Sequence, residues 1–563
     1  MQRHEHPVFR VLPDSRLVPN KELDDAGRGA DDETEDLVRD GIVRELRSCT
    51  IAARAQMGWI DLSTMLIPPH VIKEIRAEDA RRFQVIPVAV REAGLLLAVS
   101  NPLDIDTIDS LSFVLQRELQ VVWTSPDQIG EALIKYYGTA DEAADVIQQK
   151  IGGDFDLGLE IEHGAAISEA DEADAPIIRL VSILIIEAYR AGASDIHLEP
   201  LHKNFRVRFR IDGVLHEMHS PPKRLQSAIV SRFKIMTGSM SIAEKRLPQD
   251  GRVRAKVKKH PLDLRVSTIP TNHGESVVIR LLDKSRLRLG LTELGLFPDD
   301  QEKLERFIQL PDGIVLVTGP TGAGKTSTLY ACLNSINKPD RKIITVEEPI
   351  EYQMAGINQV QVNPEIGMTF PAALRSILRQ APNIIMVGEI RDLETATIAI
   401  NGSLTGHLVL STLHTNDAPS AIARLIDIGV PPFLVASSLR AVVAQRLVRR
   451  VCPHCKQESE LSQCELRALR IEPGQMSDAQ LMHGKGCQQC RGTGYKGRLG
   501  IFEIFVLNDE LRHMINKRSP TPNLRRQARE SGMRTLRQDG IRKVLAGLTT
   551  AKELISITIG DVS

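Results

Sequence analysis

The chain has 563 residues, 42% of them hydrophobic and 25% charged, with a formal net charge of −1. That length suggests several domains, and the balanced charge excludes a global drive toward nucleic acid or an anionic membrane. Aromatic content of 4% argues against base-stacking platforms, and seven cysteines are too few for a disulfide framework of this size.

Residues 1–45 are rich in Asp, Glu and Gly and read as a disordered acidic tail. The first twenty residues are polar, without a signal-peptide core, and no apolar run reaches transmembrane length. Residues 46–138 read as a small α/β module. It has a strand over 94–100 broken by Asn101-Pro102, a helix over 106–119, a strand over 119–123 and a helix over 128–137. Residues 139–175 are acidic and suit a flexible linker. Within them, 155–161 alternates apolar and polar, and reads equally as a strand, a partner-docking segment or plain linker. Residues 176–290 form a second α/β module: a helix over 177–191, then strands over 194–199, 205–211 and 276–282. A nucleotide-binding core over 291–450, a cysteine-bearing insert over 451–498 and a helical region over 499–563 complete the chain.

The run Gly319-Pro320-Thr321-Gly322-Ala323-Gly324-Lys325-Thr326 fits the phosphate-loop pattern without a mismatch. A buried strand over 313–318 precedes it, and a helix starting with Ser327 follows. The glycines let backbone N–H groups curl around phosphates, and the helix N-terminus adds partial positive charge. Lys325 suits the β- and γ-phosphates of ATP, and the Thr326 hydroxyl suits Mg²⁺. An ATP-binding chain without an export signal is most simply cytoplasmic.

Three more apolar strands end in polar groups. The strand over 342–346 runs into Glu347-Glu348, that over 384–387 into Gly388-Glu389-Ile390-Arg391-Asp392, and that over 407–411 into Thr412-Leu413-His414. Ligands of parallel α/β sheets bind at such carboxyl ends. Glu389 is the candidate for orienting the attacking water. Glu347 and Glu348 are candidates for the Mg²⁺ shell, and His407 and His414, bracketing the fourth strand, for sensing the γ-phosphate.

In these motifs the chain resembles the secretion ATPase superfamily that drives type II secretion and type IV pilus assembly and retraction. Residues 319–326 look like its Walker A, 345–351 its acidic box, 378–392 its Walker B and 405–418 its histidine box. The resemblance departs at Ala381-Pro382-Asn383, where relatives often carry Asp-Pro-Asp. These residues precede the strand and Glu389 follows it, so the reaction is expected to survive.

The resemblance implies a RecA-like core preceded by a PAS-like α/β domain and a small N-terminal docking domain. It also implies that Arg252, Arg265 and Arg280 of the PAS-like module reach the nucleotide, where a planar guanidinium stabilises developing phosphate charge. Cys452-Pro453-His454-Cys455 and Cys487-Gln488-Gln489-Cys490 are two C-x-x-C pairs at spacing suited to a closed structural Zn²⁺ site. Iron–sulfur ligation and two redox pairs are the competing readings. In the superfamily this element marks assembly motors.

The expectation is therefore a Mg²⁺-dependent ATPase motor of the type II secretion class. By resemblance it is a homo-hexamer, peripheral to the inner membrane through the cytoplasmic part of an inner-membrane secretion protein and a platform protein. The rival readings are a type IV pilus assembly motor, a regulator that binds nucleotide without turnover, and a nucleic-acid motor.

Overall fold

The computed structural model describes residues 58, 60–62, 65, 67–91, 94–100, 105–115, 117–137, 159–161, 175–257, 260–283, 290–471, 473–476 and 479–559. The expected acidic tail, the Asn101-Pro102 break and nearly all of the expected linker lie outside them. The described residues fall into two compact units. The first is drawn from Met1–Arg210, Leu215–Lys259 and Asp263–Leu281, the second from Ile211–Val214, His260–Leu262 and Leu282–Ser563.

The first unit holds a three-stranded sheet and most of a seven-stranded one. Strands β1 (Val85–Arg91), β2 (Gly94–Val99) and β3 (Leu119–Trp123) form a small one in that order. The helices Ile105–Leu115 and Pro126–Tyr137 accompany it, the first ending four residues earlier than the sequence suggests. The second sheet has seven strands: β4 (Leu159–Ile161), β5 (Ala193–Pro200), β6 (Phe205–Ile211), β7 (Val214–Glu217), β8 (Gln249–Val257), β9 (His260–Thr271) and β10 (Gly274–Asp283). Their spatial order is β4-β8-β9-β10-β5-β6-β7. The Ala175–Arg190 helix buries Leu180, Ile183, Leu184 and Ile185. β6 alternates buried Phe205, Val207 and Phe209 with partly exposed Arg206, Arg208 and Arg210, the period-two signature of a one-sided strand.

The second unit is built on β11 (Gly313–Thr318), β12 (Ile343–Glu347), β13 (Asn358–Gln361), β14 (Ile384–Val387), β15 (Leu408–Leu413), β16 (Leu439–Val451) and β19 (Tyr495–Val506), while β17 (Lys456–Glu458) and β18 (Met482–Gly484) pair with each other. The seven-stranded order is β13-β12-β14-β15-β11-β16-β19. All neighbours within it are parallel except the antiparallel pair β16 and β19. Every residue of β11 is buried, as a parallel strand covered on both faces requires. Ile314 and Leu316 enter one core with Val346, Ile385 and Val409; Val315 and Val317 enter the other with Ile384, Met386 and Leu410. Each such side chain contributes roughly 2 kcal/mol of hydrophobic stabilisation. The Lys325–Ile336 helix covers one face through Leu329 and Leu333, and the Phe370–Leu378 and Leu393–Leu404 helices cover the other. Four helices, Asp509–Asn516, Thr521–Glu530, Leu536–Leu545 and Ala551–Thr558, close the chain. Among the described residues, no helix is long and apolar enough to cross a membrane.

Candidate active site

The phosphate loop leaves β11 at Thr318 and enters the Lys325–Ile336 helix. Gly319 has φ 152°, and a Cβ there would stand 2.4 Å from the Gln445 carbonyl oxygen, so the first loop position admits only glycine. Lys325 Nζ donates to the carbonyls of Gly319 at 2.8 Å and Pro320 at 3.2 Å, and lies 3.4 Å from His414 Nδ1. Burial holds its pKa below the usual lysine value, against a raising effect of the Glu389 charge. A half-buried ammonium in a glycine cradle at a helix N-terminus fits a phosphate anion: the anion would offset the cost of burying that charge.

From Lys325 a line of polar contacts crosses three neighbouring strands. His414, just past β15, sets Nε2 3.2 Å from Glu389 Oε2. Glu389, just past β14, pairs through its other oxygen with Arg391. Arg391 stands 3.5 Å from Glu348, just past β12. The order β12-β14-β15-β11 thus turns four sequence-distant strand ends into one continuous edge. The Thr415 N–H donates to Thr318 Oγ1 at 2.9 Å and ties the β15 end to the β11 end. Glu389 is mostly shielded, with a side-chain exposure of 14%, whereas Glu348 keeps 36%.

Two expected site residues stand elsewhere. His407 precedes β15, and the register Gly313↔Leu408 puts it level with the start of β11, not its end. Six strand residues separate it from the phosphate edge by about 20 Å. There its Nδ1 donates to the Gly402 carbonyl at 2.9 Å. The two histidines bracket β15 as expected, but His414 alone stands at the phosphate edge. Glu347 is the last residue of β12 and is 3% exposed. Its carboxylate accepts from Tyr330, from Thr345 Oγ1 at 2.6 Å and from Gln359 Nε2 at 3.1 Å. Three protein donors fill it, a setting unlike that expected of a group facing metal-bound water. Strand alternation then sends Glu348 the other way, to Arg391.

Asp392 caps the Leu393–Leu404 helix, its Oδ1 accepting from the Thr395 N–H at 2.8 Å. Asn383 accepts from the Lys342 N–H at 2.8 Å. An amide oxygen serves that backbone donor without a charge.

The three arginines lie in the seven-stranded sheet of the first unit. Arg252 on β8 donates through Nε to Asp263 of β9 at 2.8 Å, and Asp263 is fully buried. Arg280 on β10 donates to Asp195 of β5 at 3.0 Å, and Arg210 lies 3.3 Å from the same carboxylate. Arg265 on β9 is half-buried.

The four insert cysteines converge, with all four sulfurs within 4.8 Å of one another. Separations of 3.9, 3.8 and 3.7 Å for the pairs 452–487, 455–490 and 487–490 match the roughly 3.8 Å between sulfurs of a tetrahedral zinc site. Backbone N–H groups point at sulfur from Gly486 to Cys455 at 3.3 Å and from Cys487 and Gly494 to Cys490 at 3.1 and 3.3 Å. Burial opposes ionisation of Cys490, but the Cys487 and Gly494 N–H groups, together with the Cys487 and Cys455 thiols, outweigh it and lower its pKa to about 6. The donor set fits a metal that binds thiolates.

A β-sheet core with a phosphate loop and carboxylates at its strand ends defines a P-loop ATPase. The chain belongs to the type II/IV secretion system protein family, whose model matches residues 170–556, and an MshEN domain matches residues 55–143. It is 42% identical over 529 residues to the type IV pilus assembly ATPase PilB of Myxococcus xanthus, covering 93% of each chain. It is 43% identical over 496 residues to type II secretion system protein E of Aeromonas hydrophila, covering 88% of this chain and 98% of that one. It is 52% identical over 384 residues to type II secretion system protein HxcR of Pseudomonas aeruginosa, covering 68% and 78%. The solved structure of the Legionella pneumophila ATPase DotB shares the fold, with a TM-score of 0.50 and 20% identity over 70% of this chain and 98% of that one.

The signal for Glu347 was available only in part: an apolar strand ending in two acids must send one of them inward. Gln445, against Gly319, carried no motif at all.

Proposed function

We propose that this ATPase powers protein export by a type II secretion system, by driving assembly of a pseudopilus. The observation that carries the catalytic part is the unbroken contact line Lys325, His414, Glu389, Arg391, Glu348 along one sheet edge. The loop backbone and Lys325 bind the phosphates of ATP, and the residues from Gly319 to Ser327 form the cradle. The Thr326 hydroxyl and Glu348 would hold Mg²⁺, which would supply positive charge against the charge developing on the phosphates. Glu389 orients the attacking water and takes its proton. His414 touches both Lys325 and Glu389 and so links phosphate occupancy to the base. Arg391 holds Glu389 and Glu348 apart and in place.

Arg252, Arg265 and Arg280 supply cationic stabilisation to the phosphate charge that develops in the reaction. The working form is a homo-hexamer. The region matched by the MshEN model docks on the cytoplasmic part of an inner-membrane secretion protein and holds the ring peripheral to that membrane. Cys452, Cys455, Cys487 and Cys490 hold a structural zinc; about one zinc per chain by elemental analysis supports this, and none overturns it.

The export reading is supported by relatives named for type II secretion at 43–52% identity. The second reading, pilus assembly, is favoured by the 93% mutual coverage with PilB. A Lys325→Ala allele in the source cell separates them. Lost exoprotein release with intact surface pili supports export; lost pili with normal release overturns it.

A further inference from the structure

The phosphate loop rests on a residue outside every motif that marks the site. Gln445 sits in β16 and is 2% exposed, a polar side chain in the apolar run Ala441-Val442-Val443-Ala444. It follows Ala444, the partner of Thr318 in the last parallel register pair, and so stands level with the point where β11 gives way to the loop.

Gln445 meets the loop in three places. Its carbonyl oxygen stands 2.4 Å from where a Gly319 Cβ would be, a wall against the first loop residue. Its Nε2 lies 2.9 Å from the corresponding Cβ position on Gly324, the residue before Lys325. Its Oε1 accepts from Thr328 Oγ1 at 2.6 Å, and Thr328 is fully buried one turn into the helix, its N–H bonded to the Gly324 carbonyl at 3.1 Å. One side chain and its own carbonyl therefore touch the start, the corner and the helical exit of the loop. A glycine-rich loop has many conformations open to it, and only a fixed surround keeps its N–H groups convergent. A buried amide bonded to a buried hydroxyl is such a surround, because breaking the pair leaves polar atoms unsatisfied on both sides.

We propose that Gln445 is a positioning residue for nucleotide hydrolysis. It acts through Thr328 and the loop backbone to hold the phosphate cradle in its binding shape before ATP arrives. This rests on the reading of residues 319–327 as the nucleotide site.

The test uses the full-length protein, with affinity for a fluorescent ATP analogue and steady-state kcat and KM measured together. Gln445→Ala is expected to weaken analogue binding about tenfold, and to raise KM more than it lowers kcat. Thr328→Val, nearly isosteric, should act in the same direction, Thr328→Ser should restore affinity, and the double variant should be no worse than Gln445→Ala alone. Affinities within about twofold of the parent for both single variants, or multiplying losses in the double variant, overturn the proposal. So does a drop in melting midpoint without any change in the affinity of the folded protein. Should Gln445→Ala not fold, the Thr328→Val and Thr328→Ser pair decides. Lys325→Ala that binds the analogue like the parent defeats the reading of the loop itself, whatever Gln445 does.

Discussion

The strand-end edge of the second unit and the arginine sheet of the first handle charge in opposite ways. At the edge, Lys325 leans on carbonyl oxygens and on His414, and burial depresses its pKa against the raising effect of the Glu389 charge. In the sheet, Arg252 and Arg280 are already bonded to the shielded carboxylates of Asp263 and Asp195. The edge thus offers a shielded cation to an anion, while the sheet arginines are already paired with carboxylates. An arginine locked on a buried acid is part of the fold, and any work it does on phosphate is added to that structural role. Substitutions should therefore separate the two regions by which quantity they move.

The largest effect is expected at Arg265. Arg265→Ala should bind ATP nearly normally yet lose about a thousandfold in turnover, the scale of a transition-state arginine. Measured kcat near the parent value would remove it from the reaction. Arg252→Ala should differ by striking the fold, leaving the buried Asp263 carboxylate unpaired at a cost of about 3 kcal/mol, read as a lowered denaturant midpoint. An unchanged midpoint would break the contrast between sheet and edge.

The edge makes a prediction in pH. Lysine binds phosphate as the cation, and burial lowers its pKa in the nucleotide-free site. Affinity for ATP should then decline, as pH rises, earlier than an ordinary lysine would allow. Lys325→Arg, charged throughout, should flatten that limb. A pH profile identical in the two proteins would contradict this. The smallest effect belongs to His407: its alanine variant should keep turnover within about twofold, whereas His414→Ala should lose roughly tenfold or more. Equal losses would mean the far end of β15 matters as much as the near one.

Much of this edge was legible as residue types at strand ends. Four apolar runs, each followed by polar groups, predict a parallel sheet with its chemistry on one side, and β11, β12, β14 and β15 are adjacent in that sheet. What escaped was the geometry that depends on a single residue of register. His407 is different: the rule that ligands bind at strand carboxyl ends already sets it at the wrong end of its strand, and the register Gly313↔Leu408 agrees. The adjacent acids Glu347 and Glu348 look alike in sequence, and strand parity decides that one is filled by Tyr330, Thr345 and Gln359 while the other faces Arg391. Gln445 was unreadable because its partners, Gly319 and Thr328, are over a hundred residues away. The cysteine cluster was readable because short C-x-x-C pairs carry their geometry locally.

The most direct measurement is the turnover of Glu389→Gln alongside its ATP affinity. The amide keeps the shape but cannot take a proton from water. The account predicts ATP binding within a few-fold of the parent and a turnover reduced about a hundredfold or more. Turnover at the parent rate with binding intact would contradict it.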